Sequence, residues 1–454
     1  MKWNNNISFT RNTLLISLLT TLVLPAHANE FWSQDRQWLL GDWNGQRQSL
    51  EQQGYKFNFS IMSQTAANLD GGYNNDHDIL SAYQLSLGTQ FDLAKIAGWE
   101  NTQASLMITR RDGQSITLER VQDPRAGQFS SVQEIYGRGQ SWRLSQAWIK
   151  KGFADNKFQF KIGRMGLGED FNASQCEFQN LVLCGSQMGK TVGSIWYNSP
   201  VSVWGTNIKY LFAPDWSLGL GLYEVNPENA LENRGFNLRM DETEGAIIPV
   251  ELAWKPQSGA YKNLPGEYKI GGFYSTADAT DLKTANNGEI QLAAKDREVH
   301  DHKYSLWLNA QQQLTQREGG NKNRGLYGTV NLTLNDSATN NVRNSEQIAF
   351  WYKGPFDSRP NDSVGFGIAH FDVNERLQDR QNYSNEINGL TVADYNNPKY
   401  APIQRDEVDI ELNYSYQWSP SVMLRPSLQY VYQPGGVKEV DDALVAGLSV
   451  KLNF

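Results

Sequence analysis

Beyond residue 28 the chain holds four histidines, His77, His300, His302 and His370, and none sits beside a nucleophile motif. There is no Gly-x-Ser-x-Gly elbow and no His-Glu-x-x-His helix, so no catalytic residue is assigned and no enzyme activity is expected. His300-Asp301-His302 reads as a solvated loop, and no metal or other cofactor is assigned. The chemistry on offer is hydrogen bonding and charge. Glu407, Asp409 and Glu411 alternate with Val408, Ile410 and Leu412, which sets three carboxylates on one face of a strand. Sealed in an apolar core they would be costly, so that face is expected to line a water-filled lumen. Lys157, Lys161, Lys209, Lys269, Lys303, Arg425 and Lys451 take the inward parity of their own segments. A passage lined with both signs has no dominant field and suits neutral, hydrogen-bonding solutes. Cys176 and Cys184 are the only cysteines, and a disulfide closing that short loop is the favoured reading.

The elements that must position these residues are strands. Segments of about ten residues with period-2 alternation recur from residue 57 to 454, which is the pattern of a transmembrane antiparallel β-barrel of about sixteen strands. Short turns at Ala154-Asp155-Asn156, Pro214-Asp215 and Ser419-Pro420 all fall on one side in that count. The long connections, 112–143, 165–200, 227–245, 278–301 and 374–404, fall on the other. Barrels turn tightly on the periplasmic side, so both termini are expected there. The mean hydropathy of −0.56 does not oppose this, because only every second side chain of such a strand meets lipid. The 14 Trp, 20 Tyr and 19 Phe suit interfacial girdles, with Trp204, Tyr210 and Phe212 on an outward face.

Lys2 and Arg11, the apolar run Thr13 to Leu24 and the triplet Ala26-His27-Ala28 read as a secretory signal over residues 1–28. Residues 29–56 are expected as an N-terminal periplasmic segment with a short helix over 31–54, Asp42 its candidate N-cap and Gly54 its stop. Residues 57–454 form the expected outer-membrane barrel. After the signal the charge is 39 basic against 49 acidic, which argues against a nucleic-acid partner. On the last strand Leu444, Ala446, Leu448, Val450, Leu452 and Phe454 share one face, the terminal aromatic fitting the signal read by the barrel-assembly machinery.

A set of short motifs runs through the chain in order. Gly41-Asp42-Trp43-Asn44-Gly45 with Arg47 comes first, then Arg111-Asp112-Gly113, Gly163-Arg164 and Glu169-Asp170-Phe171. Cys176, Phe178-Gln179-Asn180 and Cys184-Gly185 follow, then Trp204-Gly205, Val225-Asn226-Pro227, Pro249-Val250-Glu251-Leu252 and Leu264-Pro265-Gly266-Glu267-Tyr268-Lys269. In this order the chain resembles the carbohydrate-selective porins, the OprB family, over nearly its whole mature length. Asn44 stands where the family pattern usually has a second Gly. The resemblance implies a monomeric sugar channel of the Gram-negative outer membrane, with outer-membrane lipid and lipopolysaccharide around it.

Arg111 is the first choice for the constriction, since it ends a strand on which Gln103, Ser105 and Thr109 face in. Its guanidinium can donate two hydrogen bonds to adjacent sugar hydroxyls. The plain alternative is an ion pair at the barrel rim. Arg164 stands on the lipid parity of its strand at the rim, so parity leaves its direction open. The connection 165–200 is expected to fold inward, with Glu169 and Asp170 as acceptors and Phe178 and Trp196 as stacking candidates. Passive diffusion of monosaccharides such as glucose is the expected function. A porin for small organic acids, an unspecific porin and a non-conducting surface carbohydrate-binding barrel stay open as rivals.

Overall fold

The computed structural model describes residues 33–137, 140–193, 195–256, 259, 261–317 and 321–454. The expected signal, residues 1–28, lies outside them. Sixteen long strands close into one barrel, all neighbours antiparallel. They are β1 (Tyr55–Gly72), β2 (Ile79–Asp92), β3 (Thr102–Gly113), β4 (Trp142–Phe153), β5 (Phe158–Met165), β6 (Val203–Ala213), β7 (Trp216–Val225), β8 (Gly245–Trp254) and β9 (Gly266–Ser275). Further on come β12 (Lys303–Gln313), β13 (Gly325–Asn335), β14 (Val342–Lys353), β15 (Ser363–Val373), β16 (Glu407–Ser419), β17 (Val422–Tyr432) and β18 (Asp441–Asn453). Between β9 and β12, β10 (Ala279–Thr280) and β11 (Val299–His300) pair as a separate two-stranded sheet. β1 pairs with β18, Ser60 opposite Asn453, so the wall has no free edge.

The alternation has its expected effect on side chains. Along β18 Ala443, Val445 and Ser449 are buried inside, while Leu448 is 39% exposed on the outer wall. At the short-turn end a row of outward aromatics crosses β5 to β9. Phe158 stacks on Tyr210 at 4.4 Å, Trp216 on Trp254 at 5.7 Å and Trp254 on Tyr268 at 5.1 Å. This is a girdle of the kind that anchors a barrel at a membrane interface. Ala154, Asp155 and Asn156 all take left-handed backbone angles, which reverses the chain between β4 and β5 in minimum length.

The N-terminal helix is shorter than expected. It spans only Gln46–Gln52, because Trp43, Asn44 and Gly45 have φ of 55°, 56° and 83°, a left-handed run that a right-handed helix cannot contain. Asp42 is therefore not its N-cap, and Gly54 at φ 104° does end the segment. Arg47 fixes it to the barrel. Its guanidinium donates to the Phe454 carbonyl at 2.7 Å and the Phe57 carbonyl at 2.9 Å, and lies 4.2 Å from the Trp38 ring centroid.

Candidate functional site, the constriction inside the barrel

β5 ends at Met165 and the chain turns into the lumen, where residues 166–202 lie before β6 begins. Its apolar side chains are buried against the inner wall in two places. Met188, Val192, Trp196 and Tyr197 pack with Tyr223, Phe273 and Trp307. Phe178, Val182 and Leu183 pack with Ala349, Ala369 and Phe371. The wall is cut back to receive them: a Cβ on Gly367 would stand 2.9 Å from Leu183 and 3.2 Å from Phe178.

Polar fastenings complete the attachment. Glu411 of β16 accepts the backbone N–H of Gln179 at 2.9 Å and of Asn180 at 2.6 Å. Asp409 accepts the Asn180 amide at 3.1 Å, while Glu407 holds a different connection, accepting the Gly435 N–H between β17 and β18. On the opposite wall Glu251 accepts the Asn172 N–H and the Trp307 indole N–H, both at 2.8 Å. A disulfide joins Cys176 and Cys184, with Cα atoms 4.2 Å apart, around the turn that rests on Glu411.

The connection between β3 and β4 also folds inward, which sequence reading missed. Gln133 donates to the Gln64 carbonyl at 2.9 Å, and Gln64 in turn accepts the Ile135 N–H at 3.0 Å. Ile116, Val121 and Val132 are buried with Ala66, Val431 and Val445 of the wall. Its buried apolar positions are the signal, since an exposed loop has no use for them.

The two inward segments leave a cavity of about 730 Å³ between them. Arg111, Glu134, Tyr136, Glu169, Lys190 and Lys303 line it, together with Asn198 and Asn340. Arg111 donates its Nε–H to Gln84 at 2.8 Å and stands 3.9 Å from the Glu134 carboxylate, so a donor and an acceptor adjoin the same space. Glu169 and Asp170 both reach Lys161, at 3.5 and 2.8 Å, and only Glu169 borders the cavity.

Several expectations need correction. Trp196 is fully buried, its ring 5.8 Å from Phe273 and 5.5 Å from Trp307, and Phe178 is 2% exposed, so neither ring is open to a solute. Loop packing outcompeted solute stacking because the wall offers large apolar partners. Glu407, Asp409 and Glu411 point inward as their parity requires, but at 0–2% exposure they are covered by the inward segments rather than by water. Arg425 likewise points inward and is spent on Ser415, at 2.7 Å, and Glu177, at 3.4 Å. Lys451 is exposed in the lumen, in register with Met62 and Met423. Arg164 keeps the outward parity, paired across β4 and β6 with Ala147 and Trp204. It is buried there because residues 226–238 fold over it: Asn229 lies 3.4 Å from its guanidinium, and Leu238 accepts from the Trp204 indole. Its 3.7 Å ion pair is with Glu224, outside the lumen.

At the long-loop end two clasps tie connections together. Tyr395 donates to Asp123, while Arg125 donates to the Tyr395 carbonyl at 2.9 Å. Burial alone would raise the Asp123 carboxyl, but hydrogen bonds from Arg125 and Tyr395 outweigh it and hold the group below the usual range. Asp281 is held the same way. Burial opposes its charge, and the Arg376 guanidinium with the backbone N–H groups of Thr284 and Lys283 overcomes that and keeps it well below the carboxylate range.

Comparison with known proteins converges on one group. A profile of the carbohydrate-selective porin, OprB family, matches residues 76–454. The porin designated QuiX of Acinetobacter baylyi is 59% identical over 450 residues, covering 98% of this chain and 100% of the relative. Porin B of Pseudomonas aeruginosa is 47% identical over 430 residues, covering 94% of each. Among solved structures, the high-pH structure of OprB from Pseudomonas putida superposes with a TM-score of 0.90 at 45% identity, over 93% of this chain and 100% of that one.

Proposed function

The chain belongs to the OprB family of carbohydrate-selective porins, and we propose that the 730 Å³ cavity is the place where it sorts its solutes, with Arg111 as the principal donor and Glu134 and Glu169 as acceptors. The protein is an outer-membrane channel through which sugars diffuse passively. What supports the assignment of the constriction is one observation: the barrel is wide, and two inward segments reduce it to a passage bordered by charged and amide side chains. Each hydroxyl leaving bulk water needs a donor or acceptor, and Arg111, Glu134, Asn198 and Asn340 supply both. Downhill movement requires no energy source and no covalent step. We read the chain as a channel without enzymatic activity, working as a monomer. Outer-membrane lipid and lipopolysaccharide surround its outward face, and the barrel-assembly machinery reads its last strand.

The test is single-channel conductance in planar bilayers with glucose titrated on one side. Concentration-dependent reduction of the current that saturates is expected from a solute resting in the constriction. Conductance that ignores glucose while ions pass would make the chain an unspecific porin. A folded barrel that carries no current would return the non-conducting carbohydrate-binding barrel.

A further inference from the structure

We infer that residues 236–240, in the connection after β7, lie in the outer leaflet of the membrane, with Phe236, Leu238 and Met240 seated among lipid acyl chains. By strand order this connection is extracellular. Here it replaces a stretch of lipid-facing wall that the strands do not supply, and it does so whatever solute the lumen passes.

The wall is low at this point. β5, with 8 residues, is the shortest of the sixteen barrel strands. From Phe158 in the aromatic girdle to Arg164 it climbs roughly 20 Å along its own axis, which the tilt of a barrel strand reduces to roughly 15 Å of height. The apolar band of such a barrel is about 25 Å tall, so outward residues level with Arg164 stand about 10 Å inside its outer edge. Trp204 and Glu224 share that level, in register with Arg164 across β6 and β7. An ion pair facing hydrocarbon is costly, yet Arg164 and Glu224 are 3% and 5% exposed. The connection roofs them. Asn226 and Thr243 donate to Glu224 at 2.7 and 2.9 Å, and the Leu238 carbonyl accepts the Trp204 indole N–H at 3.0 Å. Leu238 therefore lies at the height of the covered pair, inside the band.

The outer side of this roof has the pattern of a lipid-facing strand. Phe236, Leu238 and Met240 are 53–57% exposed, while Asn237 between them turns inward and donates to Asn229 at 3.3 Å. Arg239 is paired with Asp241 at 3.7 Å, and its long stem lets the charge reach the headgroup layer. The apolar face is continuous with the wall on both flanks. β4 runs on past its last partner in β5, where Ala147 stands opposite Arg164, and there the Leu144 N–H donates to the Gly235 carbonyl at 2.9 Å. Leu144 is in register with Ile108, and Ile108 with Leu87, all on the outward face. Beyond β7 the outward residues of β8 include Ile248 and Val250. A contiguous apolar face set between two lipid-facing stretches at one height is completed by acyl chains.

The full chain reconstituted in phospholipid vesicles tests this. Phe236→Cys and Leu238→Cys each take a nitroxide label, since Cys176 and Cys184 are joined to one another and take none. Leu220→Cys marks the lipid-facing wall and Val392→Cys an exposed outer connection. Heat-modified gel migration confirms that each labelled barrel is folded. Collision of the label with oxygen at Phe236→Cys and Leu238→Cys should match that at Leu220→Cys. Collision with a water-soluble nickel chelate should be several-fold lower than at Val392→Cys, because the chelate does not enter hydrocarbon. Nickel collision equal to that at Val392→Cys overturns the inference and leaves the connection standing in water. Shielding from both oxygen and nickel overturns it in favour of protein on the same face, a second copy of this chain.

Discussion

Glu411 holds an inward segment to the wall, and Arg111 is the residue we propose meets the solute. Glu411 satisfies two backbone N–H groups of the inward segment, and each would cost about 1–3 kcal/mol if left buried without an acceptor. Glu411→Ala should therefore loosen residues 166–202 and raise single-channel conductance while the barrel stays folded. An unaltered current would show that apolar packing alone holds the segment. Arg111→Ala should act on the solute instead, weakening glucose block about tenfold, or about 1.4 kcal/mol, with gel migration unchanged. Period-2 alternation made the direction of both side chains legible in advance. It said nothing of what would cover them. Glu411 and Trp196 were misread for that reason, since whether an inward residue meets water depends on a segment far off in sequence.

Among the elements, the inward segment carries two redundant constraints. The Cys176–Cys184 loop is short, and its closure is worth roughly 2.5 kcal/mol on the chain-entropy view. The double variant Cys176→Ser, Cys184→Ser should leave the melting of the barrel unmoved. Hydrogen exchange at residues 174–186 should rise as the turn loses its closure, while the Glu411 contacts keep the segment on the wall. The outer clasp at Asp281 answers to pH. Its carboxyl is depressed in the folded protein, so its contribution is complete above the unfolded value near pH 4 and is lost as pH falls below it. Proteolysis of the 375–387 helix should accelerate below about pH 4, and Asp281→Asn should abolish that pH dependence. That these connections hold a helix and a two-stranded sheet was not legible, since loops carry no sustained alternation. Helix Glu375–Ile387 has a mean composition too polar to announce a buried face.

For the whole molecule, closure is the property that the strand rhythm made clearest, because sixteen alternating segments with turns sorted to two sides admit few arrangements. The latch across the seam was less visible. Arg47 joins the segment before β1 to the Phe454 carbonyl after β18, and its removal leaves two carbonyls without a charged donor. Arg47→Ala should lower the midpoint of heat-induced gel migration, by an amount set by about 1.5–3 kcal/mol for each such bond, with conductance retained in the surviving fraction. An unmoved midpoint would make the latch ornamental to stability.

The inward segments bear on more than flow. Because they are fastened to β16 and β8 below the rim, the proposed constriction lies beneath the outer surface, while residues 386–399 are mostly exposed above it. Antibodies, phage and proteases meet that outer layer alone. Substitutions confined to residues 386–399 should therefore leave the solute preference of the channel as it is.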